Sequence, residues 1–155
     1  MALLNLFSNK KTFAHGIHPL YQKEATASLP IRRMPFAEQM VVLLSQHIGA
    51  PAKAIVKVGQ EVVRGEPIAE AGGFVSVPMH SPVTGIVRSI DKLVPTTSGP
   101  KTPAIVIETY AAASQKILYD CDIDIDQLTP DELVKAIQSA GMVGLGGAAF
   151  PCHVK

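Results

Sequence analysis

The residues whose types and spacing could do chemistry lie near the end of the chain, in a stretch that is dense in glycine. The stretch runs from Gly141 to Phe150 as Gly-Met-Val-Gly-Leu-Gly-Gly-Ala-Ala-Phe, and Lys155 follows it. Closely spaced glycines allow backbone N–H groups to converge on an anion, and a lysine downstream can neutralise a phosphate. The pattern predicts a nucleotide or flavin phosphate as ligand, but it also suits a tight connection between two helices.

The other candidate residues do not form a convincing site. His15 and His18 form a lone His-x-x-His pair without a third ligand nearby, which is more typical of a polar loop than of a metal site. The alternating aspartates of residues 120–126 lack the glycine and the bidentate glutamate of a calcium loop. Cys121 and Cys152 are too few for a disulfide framework or a metal cluster. We therefore expect reduced thiols, no metal site and no catalytic residue.

Composition narrows the class of protein. The chain has 155 residues, 47% of them hydrophobic, and its 14 basic and 13 acidic residues leave a net charge of +1. This balance gives no electrostatic reason to expect nucleic acid as a partner. Arg32 and Arg33 could bind an anion, although a solvated pair beside a strand is the more ordinary arrangement. The amino-terminal order, apolar before basic, is the reverse of a secretory signal, so we do not expect export.

The elements that must position the glycine-rich stretch begin with a region of short strands. Val56 and its neighbours alternate with polar residues, and Gly59 and Gly65 predict two turns with positive φ. A second limb repeats this device, with a turn at Ser81-Pro82 and a corner at Gly85. Many glycines and prolines with 5% aromatic residues also favour strands and turns over a helical bundle. We predict a mainly β fold here, with the preceding His47 in a structural role.

This double limb resembles the hammerhead of biotinyl and lipoyl carriers, a barrel-sandwich hybrid. A carrier presents a lysine on the hairpin between the limbs, where its cofactor is attached. The corresponding residues 70–78 read Glu-Ala-Gly-Gly-Phe-Val-Ser-Val-Pro, and no lysine lies between Arg64 and Lys92. The swinging-arm function is therefore not expected, and the module is interpreted as a scaffold or docking surface.

A helix is predicted between this module and the glycine-rich stretch. Thr129 is a good N-cap, Pro130 suits the first turn, and the acidic residues after it favour the helix dipole. We predict a helix over residues 130–140 that ends at Gly141. Its expected buried face consists of Leu133, Val134, Ile137 and Ala140.

Taken together, the motifs resemble one family over nearly the whole chain. They are, in order, Gly16-Ile-His-Pro19, Ile31-Arg-Arg33, Ser45-Gln-His-Ile-Gly-Ala-Pro51, Val58-Gly59 through Ala69, His80-Ser-Pro-Val-Thr-Gly85 and Val143-Gly-Leu-Gly-Gly-Ala148 with Phe150-Pro151. In this order the chain is similar to the amino-terminal part of the C subunit of the Rnf ion-translocating electron-transport complex. The A subunit of the sodium-translocating NADH:quinone reductase is the alternative, since it has a similar hammerhead.

The resemblance implies a flavin site, because in that family the glycine-rich segment opens a domain similar to the FMN-carrying, NADH-binding subunit of respiratory complex I. The residues that it places against FMN are Gly144, Gly146, Gly147 and Ala148, with Phe150 shaping the pocket and Lys155 near the phosphate. Two positions depart from the commoner pattern. Ala149 stands where glycine is usual, which argues against positive φ there. Cys152 replaces threonine and is interpreted as a small buried residue, not a redox thiol.

The resemblance also implies a domain organisation. Residues 1–28 would form an extended arm, residues 29–110 the biotinyl/lipoyl-like β module, and residues 111–155 a linker, the helix and the start of a flavin-binding α/β domain. The parent subunit would continue into the rest of that domain and a ferredoxin-like domain with two [4Fe–4S] clusters. The chain is thus expected to be an inactive amino-terminal fragment.

For the parent complex, the resemblance implies an oxidoreductase that exchanges electrons between NADH and ferredoxin through FMN and couples them to ion translocation. Its partners would be the other Rnf subunits and NAD(H). It would be a peripheral protein on the cytoplasmic face of the bacterial inner membrane. No run of apolar residues here approaches the length of a membrane helix, so contact with the membrane is expected only through partner subunits.

Overall fold

The computed structural model describes residues 20–96, 99–117 and 123–155. Pro35–Lys155 form one compact unit, and the described residues 20–34 belong to a separate one, in which Arg32 and Arg33 are exposed. The predictions for His15, His18 and Cys121 concern residues outside the described part. The domain boundaries near residues 28 and 110 stay predictions.

Seven strands form the β module. They are β1 (Gln39–Leu43), β2 (Lys53–Ala54), β3 (Glu61–Val62), β4 (Pro67–Glu70), β5 (Met79–His80), β6 (Gly85–Val94) and β7 (Thr102–Thr109). One antiparallel sheet has the order β1-β7-β6-β3, and a second has the order β2-β4-β5. The predicted mainly β fold is confirmed, because only one α-helix occurs among the described residues.

The core of the module is aliphatic. Side chains from both sheets and the loops between them pack together, and the largest fully buried ones include Ile68, Val87, Ile105 and Ile107. β6 and β7 pair along most of their length, with register shifts after Val87 and Ser89 that curve the sheet. The curvature wraps the long strands around the short ones, so that one apolar interior serves both sheets.

The glycines of the first limb adopt the predicted conformations. Gly59 has φ +84° and Gly65 has φ +93°, so both turns require the left-handed region. Gly85 corrects the sequence prediction. It is the first residue of β6, paired with Thr109, and a Cβ atom there would overlap the backbone oxygen of Glu108. Close approach of β7, and not a corner, therefore requires glycine at this position.

The predicted helix is present as α1 (Pro130–Ser139). Thr129 and Glu132 form a capping box, in which each side chain reaches the other residue's backbone N–H, and Gly141 follows with φ +70°. Among the described residues, no helix has both the length and the apolar character that a membrane span requires.

The predicted burial of the α1 face is wrong. No residue of α1 is buried, and Leu133 and Val134 are 38% and 44% exposed. Three members of that face, Leu133, Ile137 and Ala140, instead line an open groove of about 230 Å³, together with Ile125 of the 3₁₀ turn Ile125–Gln127 and Met142. Helical periodicity indicates which side chains share a face, but it does not supply the layer that would cover them.

Candidate functional site

The glycine-rich stretch forms a small hairpin. Strands β8 (Val143–Gly144) and β9 (Phe150–Pro151) pair antiparallel, with Gly144 opposite Phe150. Residues 145–148 at the tip are exposed, and a 3₁₀ turn at Cys152–Val154 leads from β9 to Lys155. The hairpin follows closely on α1, which ends at Ser139 with Ala140 as its C-cap.

Gly146 and Gly147 have no structural reason within the described chain to be glycine. Neither adopts the left-handed conformation, and a Cβ atom at either position would meet nothing within 4 Å. Their N–H groups, and that of Ala148, have no hydrogen-bond acceptor among the described residues. A glycine that neither a turn nor packing requires leaves the backbone open to close approach by a ligand.

Lys155 lies against the base of the hairpin. A Cβ atom at Gly144 would stand 3.3 Å from the Nζ atom of Lys155, so the ammonium group rests on the bare backbone of β8. The one ion pair within the described ranges joins Arg88 to Glu108. No carboxylate of the described residues therefore pairs with Lys155. The structure thus brings Gly144, Phe150 and Lys155 together, with the open N–H groups at the tip of the same hairpin.

Ala149 corrects the expectation drawn from its residue type. Its φ is +53°, so the position adopts the left-handed conformation that the usual glycine would favour. A five-residue loop between two paired strands needs such a residue to reverse the chain. Cys152 is half-buried, and its N–H donates to the carbonyl of Met142 at 2.9 Å.

The hairpin and the 3₁₀ turn that follows it are both bonded to the β module. The N–H of Ile48 donates to the carbonyl of Ala148 at 3.2 Å. The Nε2–H of His153 donates to the carbonyl of Phe74 at 2.9 Å, and the two rings meet edge to face with centroids 6.1 Å apart. The Nδ1 atom of His153 is buried without a partner among the described residues. These contacts join the candidate site to the residues 70–78, which correspond to the carrier hairpin.

Sequence reasoning missed Phe74 and His153. The available signal was the type of residue, because Phe74 is a large aromatic side chain in a loop, between Gly73 and Val75, where polar residues are the ordinary choice. His153 sits two positions before Lys155 and could have been included with it. Their contact spans about half the chain and could not be read from spacing.

His47 has the structural role that the sequence predicts. It is buried, its Nε2 accepts the N–H of Val77 at 3.3 Å, and its Nδ1–H donates to the carbonyl of Ile48 at 3.1 Å. Since one nitrogen accepts and the other donates, these contacts assign the neutral Nδ1–H tautomer. His47 therefore ties the loop that contacts Ala148 to the module.

The arrangement can bind an anion but offers no group for proton transfer at the hairpin tip. Open N–H groups and an ammonium without a carboxylate beside it in the described chain suit a phosphate, and the missing Cβ atoms leave room for it. No group of three or more His, Cys, Asp or Glu side chains that could hold a metal ion occurs in the described part. The residues present therefore fit the phosphate of a flavin nucleotide.

Comparison with known proteins identifies relatives of the whole stretch. The family described as the RnfC barrel sandwich hybrid domain matches residues 11–111. The chain is 40% identical over 144 residues, or 93% of its length, to the C subunit of the Na(+)-translocating ferredoxin:NAD(+) oxidoreductase complex of Acetobacterium woodii, and covers 32% of it. It is 42% identical over 144 residues to the C subunit of the ion-translocating oxidoreductase complex of Pseudomonas aeruginosa, covering 92% of this chain and 18% of the relative.

A third relative differs in the ion that its name gives. The C subunit of the proton-translocating ferredoxin:NAD(+) oxidoreductase complex of Clostridium ljungdahlii is 36% identical over 145 residues, which are 94% of this chain and 32% of the relative. The chain thus spans about a third or less of the length of these curated relatives.

Proposed function

Because the chain belongs to the RnfC barrel sandwich hybrid family, we propose that it forms the amino-terminal part of the NADH- and FMN-binding subunit of a ferredoxin:NAD oxidoreductase that couples electron transfer to ion translocation. The names of the relatives support the complex, and the match over residues 11–111 supports the place of the β module in it. The parent would act with other Rnf subunits as a peripheral protein on the cytoplasmic face of the inner membrane.

The observation that carries the flavin part of the proposal is the open backbone of Gly146 and Gly147 at the tip of a hairpin whose base, at Gly144, holds the Lys155 ammonium. We assign Gly144, Gly146, Gly147 and Ala148 to the backbone wall of an FMN site. Phe150 would shape it and Lys155 would neutralise the phosphate. When bound, FMN would supply hydride exchange with NADH and onward transfer of single electrons. The chain's own residues would bind the phosphate and orient the cofactor.

The β module would serve as scaffold and docking surface for neighbouring subunits, and the chain alone would have no activity. The hairpin at residues 70–78 has no lysine that could carry biotin or lipoate. The two [4Fe–4S] clusters that the resemblance implies stay a prediction about the parent subunit.

A flavin titration tests the proposal. FMN and riboflavin, which has the same ring but no phosphate, would be titrated by fluorescence against this chain and against the longer parent subunit. In the longer subunit, Lys155→Ala should weaken FMN binding about tenfold, because one charge-assisted contact to phosphate is lost. Binding of riboflavin should not change. Lys57→Ala, which removes an exposed lysine from the turn before β3, is the matched control.

The proposal fails if the longer subunit binds no FMN, and the chain would then be a docking module without a ligand. An equal loss of riboflavin and FMN in the Lys155→Ala variant would show that Lys155 does not contact the phosphate.

A further inference from the structure

Phe74 is an exposed aromatic side chain on a rigid hairpin. It is 76% exposed, whereas its neighbour Ser76 is fully buried and accepts the N–H of Gly72 at 2.9 Å. The carbonyl of Val75 accepts the N–H of Ala50 at 3.0 Å. The backbone that holds the ring is thus fixed while the ring itself faces solvent.

Close backbone packing adds to this rigidity. A Cβ atom at Gly49 would overlap the backbone oxygen of Val75, and one at Gly72 would overlap that of Pro51. The two loops therefore interlock without intervening side chains. A fixed, exposed aromatic ring gains nothing for folding, since its apolar area stays in water.

Phe74 contacts the segment that leads from the glycine hairpin to Lys155. The carbonyl of Phe74 accepts the Nε2–H of His153, and the edge-to-face contact with the His153 ring leaves the rest of the phenyl ring free. His153 precedes Lys155 by two residues, and the Lys155 ammonium rests on Gly144. The residue that contacts the exposed aromatic ring therefore lies two positions before the lysine whose ammonium group is at the base of the glycine hairpin.

Ile48 adds a second apolar side chain at this place. It is 49% exposed, and its N–H holds the carbonyl of Ala148 in the tip of the glycine hairpin. Apolar side chains from the β module therefore adjoin the polar hairpin. A ligand with a phosphate at one end and a flat aromatic ring at the other has the matching chemistry.

We propose that Phe74, from the β module, packs against the aromatic ring of the flavin whose phosphate the glycine hairpin holds. The inference rests on the proposed function and extends it, because it makes the β module part of the ligand site. Phe74 would be a positioning residue that sets the orientation of the ring.

Substitutions at Phe74 test this inference in the longer parent subunit. Phe74→Ala should weaken the binding of FMN and of riboflavin by the same factor, about fivefold or more, because the lost contact is to the ring that both ligands share. Phe74→Tyr should retain wild-type affinity. Val58→Ala, which shortens another exposed apolar side chain of the module, should leave both affinities unchanged.

A second readout reports proximity directly. The chain contains no tryptophan, so Phe74→Trp introduces a single one into residues 1–155. When the flavin is excited directly, its emission should be quenched on binding to this variant, because indole quenches flavins at close contact. Val58→Trp should not add quenching beyond that of wild type.

The outcomes separate the two proposals. If wild type binds no FMN, the proposed function and this inference both fall. If wild type binds FMN but Phe74→Ala weakens neither flavin, or weakens FMN alone, this inference is overturned while the phosphate site stands.

Discussion

At the scale of single residues, Ala149 carries a conformational cost that can be measured. Its left-handed backbone costs alanine about 1–2 kcal/mol, and glycine would remove that cost but add about 0.5–1 kcal/mol of chain entropy in the unfolded state. We expect Ala149→Gly to raise the free energy of unfolding by up to about 1 kcal/mol. Urea denaturation measures the change.

The control is the neighbouring residue. Ala148 does not adopt the left-handed conformation, so Ala148→Gly should be neutral or slightly destabilising. Equal effects of the two substitutions would contradict the conformational account. Alanine in place of the usual glycine at position 149 therefore changes the stability of the loop and not its backbone conformation.

His80 makes the stability of the chain depend on pH. Burial lowers the pKa of His80 below its usual 6.5, since desolvation disfavours the charged imidazole. Between the two pKa values the unfolded state binds more protons than the folded state, so stability rises with pH. The contribution is complete above pH 6.5 and is lost as the pH falls below it.

Thermal melts over this range test the prediction. The midpoint of wild type should fall as the pH is lowered through and below 6.5, and that of His80→Gln should fall less. Parallel curves for the two proteins would show that His80 does not titrate differently in the folded state.

At the scale of elements, α1 depends on its cap more than most helices, because none of its residues is buried. Three hydrogen bonds join Thr129 and Glu132 at its amino-terminal end. The hydroxyl and the backbone N–H of Thr129 both donate to the carboxylate of Glu132, which lowers the pKa of Glu132 below 4.5. We expect Thr129→Ala to lower the stability of α1 by about 1 kcal/mol, which corresponds to roughly a fivefold loss of protection of its amides from hydrogen exchange.

Hydrogen exchange resolves where that loss falls. The amides of α1 should lose protection, and those of β6 and β7 should keep theirs, since the helix covers little of the core. Thr129→Ser, which retains the hydroxyl, is the matched control and should exchange like wild type. A uniform loss over the β module would mean that α1 supports the core after all.

Elements that depend on neighbours in sequence were predictable. The cap at Thr129, the end at Gly141 and the turns at Gly59 and Gly65 each follow from the conformation that one residue type permits. The exposure of the apolar face of α1 was not predictable, because burial depends on whether segments distant in sequence pack against that face. Gly85 shows the same limit, since its reason lies in the backbone of β7.

At the scale of the whole molecule, the sequence predicted the candidate site only as a string of residue types. Spacing indicated a glycine loop with a lysine, and the structure places Lys155 on Gly144. What spacing could not show is the contact of His153 with Phe74, which joins two distant segments. Such contacts depend on the register of the entire β module, so they emerge only with the fold.

The hairpin at residues 70–78 has a consequence for how a redox reaction could be organised around it. Its backbone is bonded at Gly72, Phe74 and Val75 to its own turn, to the carboxyl-terminal segment and to the loop after β1. A swinging arm carries its cofactor by diffusion from one active site to the next. A hairpin whose backbone is held in this way cannot make such a movement. Under the proposed function, electrons would leave the flavin by tunnelling over a distance that is fixed when the complex assembles.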